Sequence, residues 1–242
     1  NAYLSRLSST QNGRGVGEEL PGKLRQVYHA IAVGVIEAEG SDEEPDPMAP
    51  LEVGRVFDAY SGSYDASMQT LQYSVPDKVS AWASARQTRW KRVADLGCGT
   101  GLMGKVLRDS CDRLAGCDIS PGMVLTASQL GIYDELRVQD CCAFLESYPK
   151  GSLDLVIAAD VVEYIGDVAK LFDRVASAMC TGGELIVSAE SLEESCKQHA
   201  LNGDCCAKGF CLLPSERFAH TAAYLQAAAG IAGLETQTVV AL

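Results

Sequence analysis

One stretch limits what this chain can become: RVADLGCGTGLMGKVL, residues 92–107, where an apolar run is followed by Asp95, glycines at 97, 99 and 101, and then helical spacing. Glycine has no Cβ, so the chain there can turn sharply through positive φ and bring its backbone close to a ligand. The helix that follows opens with N–H groups that have no intrahelical partner. A buried strand, a glycine turn and a helix start, in that order, predict a site for something small and polar. The alternation continues downstream. Short apolar runs predict strands at 92–96, 113–118, 136–139, 153–159, 183–189 and 235–241, and helical spacing predicts helices at 102–109, 121–130, 141–147, 167–180 and 215–229. Such spacing makes βαβ units, hence an α/β fold with a doubly wound, mostly parallel sheet of six to seven strands and helices on both faces.

Ahead of this core, residues 50–87 predict three short helices, with Pro76 at a helix start where its missing N–H is harmless. Residues 1–22 read as loop, and Leu24, Val27, Tyr28, Ile31 and Val35 predict an amphipathic helix. The run Glu37 to Asp46, with six carboxylates and no basic residue, predicts a solvated linker. The expected organisation is an N-terminal helical appendage and linker at 1–49 and a main domain at 50–242, divided into a helical cap (50–90) and a core (91–242).

Charge narrows the partners. Twenty basic against 32 acidic residues give a net of −12, which disfavours a phosphate-backbone partner. The acidic run carries much of this: the remaining 20 basic and 26 acidic residues leave −6, and Arg86, Arg89, Lys91 and Arg92 form a basic stretch. No apolar run reaches the roughly 18–20 residues that span a bilayer, and no signal-peptide layout is present. Ten cysteines, several inside apolar strand-like runs, predict free thiols in a reducing compartment, cytoplasm or organelle interior.

Two ligand classes compete for the glycine turn. Gly99-x-Gly101-x-x-Gly104, with Asp118 19 residues after Gly99, matches a dinucleotide fingerprint out of register with the strand. Read instead as D-x-G-x-G-x-G from Asp95, the motif puts a carboxylate beside the turn, which suits a cationic ligand and would repel a pyrophosphate. That favours S-adenosylmethionine over NAD.

At this point VADLGCGTG resembles the first motif of class I S-adenosylmethionine-dependent methyltransferases, GCDIS with Asp118 their second, QDC with Asp140 their third, and DLVIAAD with Asp160 their fourth. The resemblance implies a Rossmann-like fold, in-line methyl transfer, and a set of cofactor contacts. Asp95, Gly97, Cys98, Gly99 and Gly101 would hold the methionine part and Asp118 the ribose diol. Asp140 and Cys141 would lie beside the adenine, Ile119 and Met123 on its faces, and Asp160 at the pocket wall. From about Pro50 onward the chain is also similar to a group of methyltransferases that often carry tetratricopeptide repeats upstream. By that likeness the first helix is a repeat remnant, and the family's final hairpin is present here only as its first arm.

Each candidate also has a plain structural reading. Asp118, Asp140 and Asp160 are residue types that cap helices. Tyr60 and Tyr64 either close over the site or belong to a core. Arg217 and His220 open the predicted late helix, as an acceptor-binding pair or as a surface Arg and a capping His. Glu163 and Tyr164 follow the fourth strand, as pocket residues or with Glu163 as a first-turn acid favoured by the helix dipole. Cys196, His199, Cys205, Cys206 and Cys211 have spacings a zinc site can use but match no common zinc module, and no metal is expected. A sulfonium is already an activated leaving group, so a general base is optional, and His220 and Glu163 are the candidates for a thiol, amine or hydroxyl acceptor. The fourth strand's AADVVEY lacks the N-P-P-Y or D-P-P-Y motif of many nucleic-acid and glutamine methylating enzymes, which favours a small molecule or protein acceptor. Two alternatives stand beside an active enzyme: a methyltransferase-like binding subunit of a larger assembly, and a nicotinamide-dependent dehydrogenase, for which residues 1–90 hardly provide a substrate domain.

Overall fold

The computed structural model describes residues 48–199 and 207–237. Three helices come first, α1 (Pro50–Tyr60), α2 (Tyr64–Thr70) and α3 (Val75–Arg86). The core then alternates: β1 (Trp90–Leu96), α4 (Leu102–Leu107), β2 (Cys111–Asp118), α5 (Pro121–Ser128), β3 (Glu135–Val138), α6 (Cys141–Glu146), β4 (Leu153–Ala158), α7 (Ala169–Ala178) and β5 (Met179–Val187). The described chain ends with β6 (Glu190–Ser191), α8 (Leu192–His199), β7 (Phe210–Leu212), β8 (Phe218–His220) and α9 (Ala222–Ile231).

The main sheet runs β3-β2-β1-β4-β5, every pair parallel. β1, which carries the glycine turn, is central, so its C-terminal end opens where the strand order reverses. Successive strand residues face opposite sides of a sheet. Ala94, Leu96, Val156 and Ala158 pack with Phe144 of α6 and Leu171, Phe172 and Val175 of α7. Val93, Leu155 and Ile157 pack with Val79 of α3 and Met103 and Leu107 of α4. Burial on both faces is why these strands read as nearly unbroken apolar runs.

The helical cap lies over the C-terminal ends of the strands and is fastened there by two carboxylates. Asp58 of α1 accepts from Gly122 N at 2.5 Å and from Ser120 Oγ at 3.2 Å, at the start of α5. Asp65 of α2 accepts from Thr100 Oγ1 in the glycine turn at 2.5 Å and pairs with Lys105 at 3.3 Å. α1 approaches the turn after β2 closely enough that a Cβ on Gly54 would lie 3.2 Å from the Ile119 carbonyl oxygen.

Three expectations change. The late helix begins at Ala222 rather than 215, because Phe218–His220 extends to pair with β6 and β7 in a second, three-stranded sheet. Thr221, whose side chain accepts from Tyr224 N at 3.1 Å, then caps α9. β5 begins at Met179, with its register against β4 shifted between Leu153 and Leu155 around Gly182 and Gly183, where Gly182 has φ 80°. The main sheet has five strands among the described residues; Glu235–Gln237 are not in a strand, and 238–242 lie outside the described residues. Also outside them are the first helix, the acidic run and, of the cysteine cluster, Cys205 and Cys206. No helix among the described residues is long and apolar enough to cross a membrane, and the seven cysteines whose side chains are described are free thiols.

Phe144, fully buried between α6 and α7, is the side chain on which the lower layer closes. Phe144→Ala should cost about 3–5 kcal/mol, read as a lowered midpoint in urea unfolding.

Candidate active site

The turn after β1 is built as its sequence requires. Gly97, Gly99 and Gly101 have φ of 61°, 53° and 94°, conformations costly for any residue with a Cβ. Gly97 has no room for one either, because the Val161 side chain occupies that space. Cys98 N donates to Cys117 O at 2.9 Å, which ties the turn to β2, and the Cys98 side chain is buried.

Asp118 joins the two loops that frame the site. One carboxylate oxygen accepts from Gly99 N and the other from Ser120 N, both at 2.9 Å. Burial raises its pKa, and the N–H groups of Ser120, Gly99 and Ile119 work against that shift. Each oxygen keeps a further lone pair, so a vicinal diol can bind without displacing either backbone bond. Asp118 thus links the turn after β1 to the turn after β2.

Asp95 behaves differently. Its carboxylate is 1% exposed beneath the turn and accepts from Tyr133 Oη at 2.6 Å. Burial pushes its pKa up to about 7; the Tyr133 bond counters this and the charge of Asp118 adds to it. Tyr133 lies in a hollow lined by glycines. A Cβ at Gly104 would collide with its hydroxyl, one at Gly116 would lie 2.9 Å from its ring, and one at Gly101 3.3 Å. Gly104, which completed the dinucleotide-like spacing, makes room for a tyrosine. Direct contact of Asp95 with the methionine part is not what the geometry offers; the residue anchors the turn from below.

The expected adenine neighbours are divided. Ile119 packs against the buried cluster of Met48, Val53, Val56 and Tyr60 under the cap and is partly exposed. Met123 is 0% exposed, which leaves it no surface for an adenine ring. Asp140 is exposed and caps α6, accepting from Ala143 N at 3.0 Å. Cys141 follows it, partly buried beside Cys117.

The other candidates converge beyond β4. Asp160 has φ 54°, a strained value for a residue other than glycine. Its N–H donates to Ser188 Oγ at 2.7 Å, and its Oδ1 accepts from Ser188 Oγ at 2.9 Å. Burial raises the pKa of Tyr73, with the charge of Asp160 adding to it. Glu163 is 2% exposed, with Arg217 Nη2 3.8 Å from its Oε1, while Arg217 Nε lies 3.4 Å from Glu190 Oε2. Tyr164 lies under the Arg217 guanidinium, and its ring meets Phe57 edge-on at 5.4 Å. Tyr60 and Tyr64 pack edge-on at 5.5 Å. Burial raises the pKa of Tyr64, with Asp160 adding to it. Arg217, its side chain 13% exposed, is a largely enclosed cation.

His220 is also buried. Its Nε2 is 3.0 Å from the carbonyl oxygens of both Ile165 and Gly166. Carbonyls only accept, so Nε2 carries the ring proton and ties β8 to the turn after Tyr164. Nδ1 has no hydrogen-bond partner, and the ring stacks on Tyr224 at 5.9 Å. Burial lowers its pKa, against the two backbone bonds. These contacts make it a fastening between β8 and the turn after Tyr164. Among the described residues no group of three or more His, Cys, Asp or Glu side chains is arranged to hold a metal ion.

Sequence spacing did not single out Tyr73, Tyr133, Ser188 or Glu190. A glycine inside a helix, Gly104, and one inside a strand, Gly116, are the signals that could have pointed to a bulky neighbour.

Comparison with known proteins bears on the fold that carries these residues. Residues 94–187 match the family model described as a methyltransferase domain. The ubiquinone biosynthesis O-methyltransferase of Bradyrhizobium sp. (strain ORS 278) is 29% identical over 111 residues, 46% of this chain and 43% of that protein. The chain thus spans less than half the length of this curated relative. A chain of the complex between the Haloferax volcanii Trm112 methyltransferase activator and a candidate methyltransferase superposes with a TM-score of 0.58 at 22% identity, covering 75% of this chain and 77% of that one. A chain of the DhpI-SAM-HEP complex gives 0.54 at 20% identity, covering 78% and 91%. At these identities the structures establish the fold.

Tyr133→Phe keeps the ring in its hollow and removes the donor to Asp95. Below pH 6 Asp95 is mostly protonated in the fold, and the loss should be small. Above pH 8 the buried carboxylate is ionised and loses its partner, so the variant should be less stable than the parent by about 1–3 kcal/mol. Urea unfolding at the two pH values measures this; equal losses at both would contradict the role given to Tyr133.

Proposed function

From a methyltransferase domain at residues 94–187, we propose that this chain is an active S-adenosylmethionine-dependent methyltransferase. The observation that carries the proposal is Asp118, held by Gly99 N and Ser120 N with lone pairs to spare, beside three glycines at positive φ. Asp118 would hold the ribose diol, Gly97 to Gly101 would lie against the methionine part, and Ile119 with the cap would cover the adenine side. Asp140 and Cys141 border the same end of the sheet. When bound, S-adenosylmethionine supplies a methyl on a sulfonium, so the protein need not activate the leaving group.

What remains for the protein is alignment and exclusion of water, both of which lower the barrier without changing the chemistry. The cap supplies both. α1 and α2 are pinned by Asp58 and Asp65 to the two loops that frame the cofactor, which places Tyr60, Tyr64 and Phe57 above them. The acceptor, a small molecule or a protein side chain, would enter where α2, the turn after β4 and β8 meet. A second reading is favoured by one observation: a structural neighbour was solved with an activator protein. On that reading the chain is a binding subunit of a larger assembly.

Calorimetric titration with S-adenosylmethionine and S-adenosylhomocysteine separates these readings. Binding by the parent chain, weakened about 10–100-fold by Asp118→Ala through loss of hydrogen bonds to a charged group, is the expected result. Absence of binding at near-millimolar ligand would sink the enzyme proposal and leave the binding-subunit reading. Binding of NADH in place of the sulfonium cofactor would instead support the dehydrogenase.

A further inference from the structure

The cluster beyond β4 also bears on which atoms can accept a methyl group. Glu163, Asp160 and Glu190 surround a single guanidinium, Arg217, so the buried charge balance leans negative. Burial opposes the Arg217 charge, but Tyr164, Glu163 and Glu190 more than offset this and leave its pKa raised. With Glu163 ionised, as a base must be, Arg217 is already matched by two carboxylates, Glu163 and Glu190. A third, arriving on an acceptor, would be an uncompensated buried anion, which is costly.

Glu163 shows what is missing. Its Oε1 faces Arg217 at 3.8 Å, longer than a hydrogen bond, and its Oε2 is buried with no hydrogen-bond partner. A buried oxygen left in this way marks a place where a donor belongs. The cluster adjoins the proposed cofactor turn. Val161, two residues before Glu163, packs against Gly97, and Tyr164, next after it, packs against the same buried cluster of α1 as Ile119.

We propose that the acceptor presents an amine or hydroxyl that donates to Glu163 Oε2, and that this site does not methylate carboxylates. The inference rests on the methyltransferase reading above. In the transfer, the acceptor's X–H bond breaks and its proton passes to Glu163 Oε2. The freed lone pair forms the bond to the methyl carbon while the carbon–sulfur bond breaks, its electron pair staying on sulfur, so the sulfonium becomes a neutral thioether. Arg217 and Tyr164 are positioning residues that hold Glu163 in place.

A base must be unprotonated to act. Burial first, then the charge of Asp160, pushes the Glu163 pKa up to about 8, with Arg217 acting against them and Glu190 with them. Tyr73 and Tyr164 are the other titratable groups facing it. The rate at saturating cofactor should therefore rise with pH and level off above about 8.

The test uses the full chain, methyl-labelled S-adenosylmethionine and a fractionated extract of the source cells. Labelled product is treated with alkali, which releases methyl esters as volatile methanol and leaves N-methyl and methyl ether groups intact. The expected result is alkali-stable label, with incorporation reduced about 100-fold or more in Glu163→Gln while S-adenosylhomocysteine binds that variant as it binds the parent. Volatile label from the parent chain would overturn the proposal. So would full activity in Glu163→Gln, or no label in any fraction while the cofactor binds normally. Failure of the cofactor to bind would instead overturn the underlying function.

Discussion

Asp118 holds the site together. Its two oxygens accept from Gly99 N and Ser120 N, so one side chain fixes the turn after β1 relative to the turn after β2. The neighbouring contacts build on that placement. Ser120, positioned by Asp118, caps α5 through Met123 N and donates to Asp58, which brings α1 down onto the site. Thr100, one residue past Gly99, donates to Asp65 and brings α2 down beside it. The cap is thus docked through groups that Asp118 has already set in place.

Beneath the turn a second constraint works from the opposite side. Tyr133 fills the hollow left by Gly101, Gly104 and Gly116 and hydrogen-bonds Asp95. The glycines therefore divide into two kinds. Gly97 and Gly99 give the backbone its positive φ, whereas Gly104 and Gly116 clear space for an aromatic ring. A carboxylate that motif reasoning places against the ligand is in this fold a buried anchor. The two acids of the site differ accordingly: Asp118 is 9% exposed and keeps a spare lone pair on each oxygen, and Asp95 is enclosed.

Much of the fold was legible because both faces of the central strands are buried, which leaves long apolar runs bounded by glycine and aspartate. β1, β2 and β4 fall within two residues of their expected ends. The second sheet was not legible. β6 to β8 are two or three residues long, too short to show a period, and the segment Arg217–His220 has helix-compatible spacing that its pairing with β6 and β7 overrides. The candidate site was legible where one residue acts alone, as at Asp118 and the glycines. It was less so where roles depend on contacts distant in sequence. Nothing local shows that His220 Nε2 meets the Ile165 and Gly166 carbonyls, that Met123 is enclosed, or that Glu190 shares Arg217 with Glu163.

The central claim is that Asp118 and the glycine turn form the seat of the sulfonium cofactor. A crystal structure of the chain with S-adenosylhomocysteine tests it most directly. The account predicts both ribose hydroxyls within hydrogen-bonding distance of the Asp118 carboxylate, its bonds to Gly99 N and Ser120 N retained, and α1 and α2 closed above. Ligand bound elsewhere, or a ribose turned away from Asp118, would contradict it.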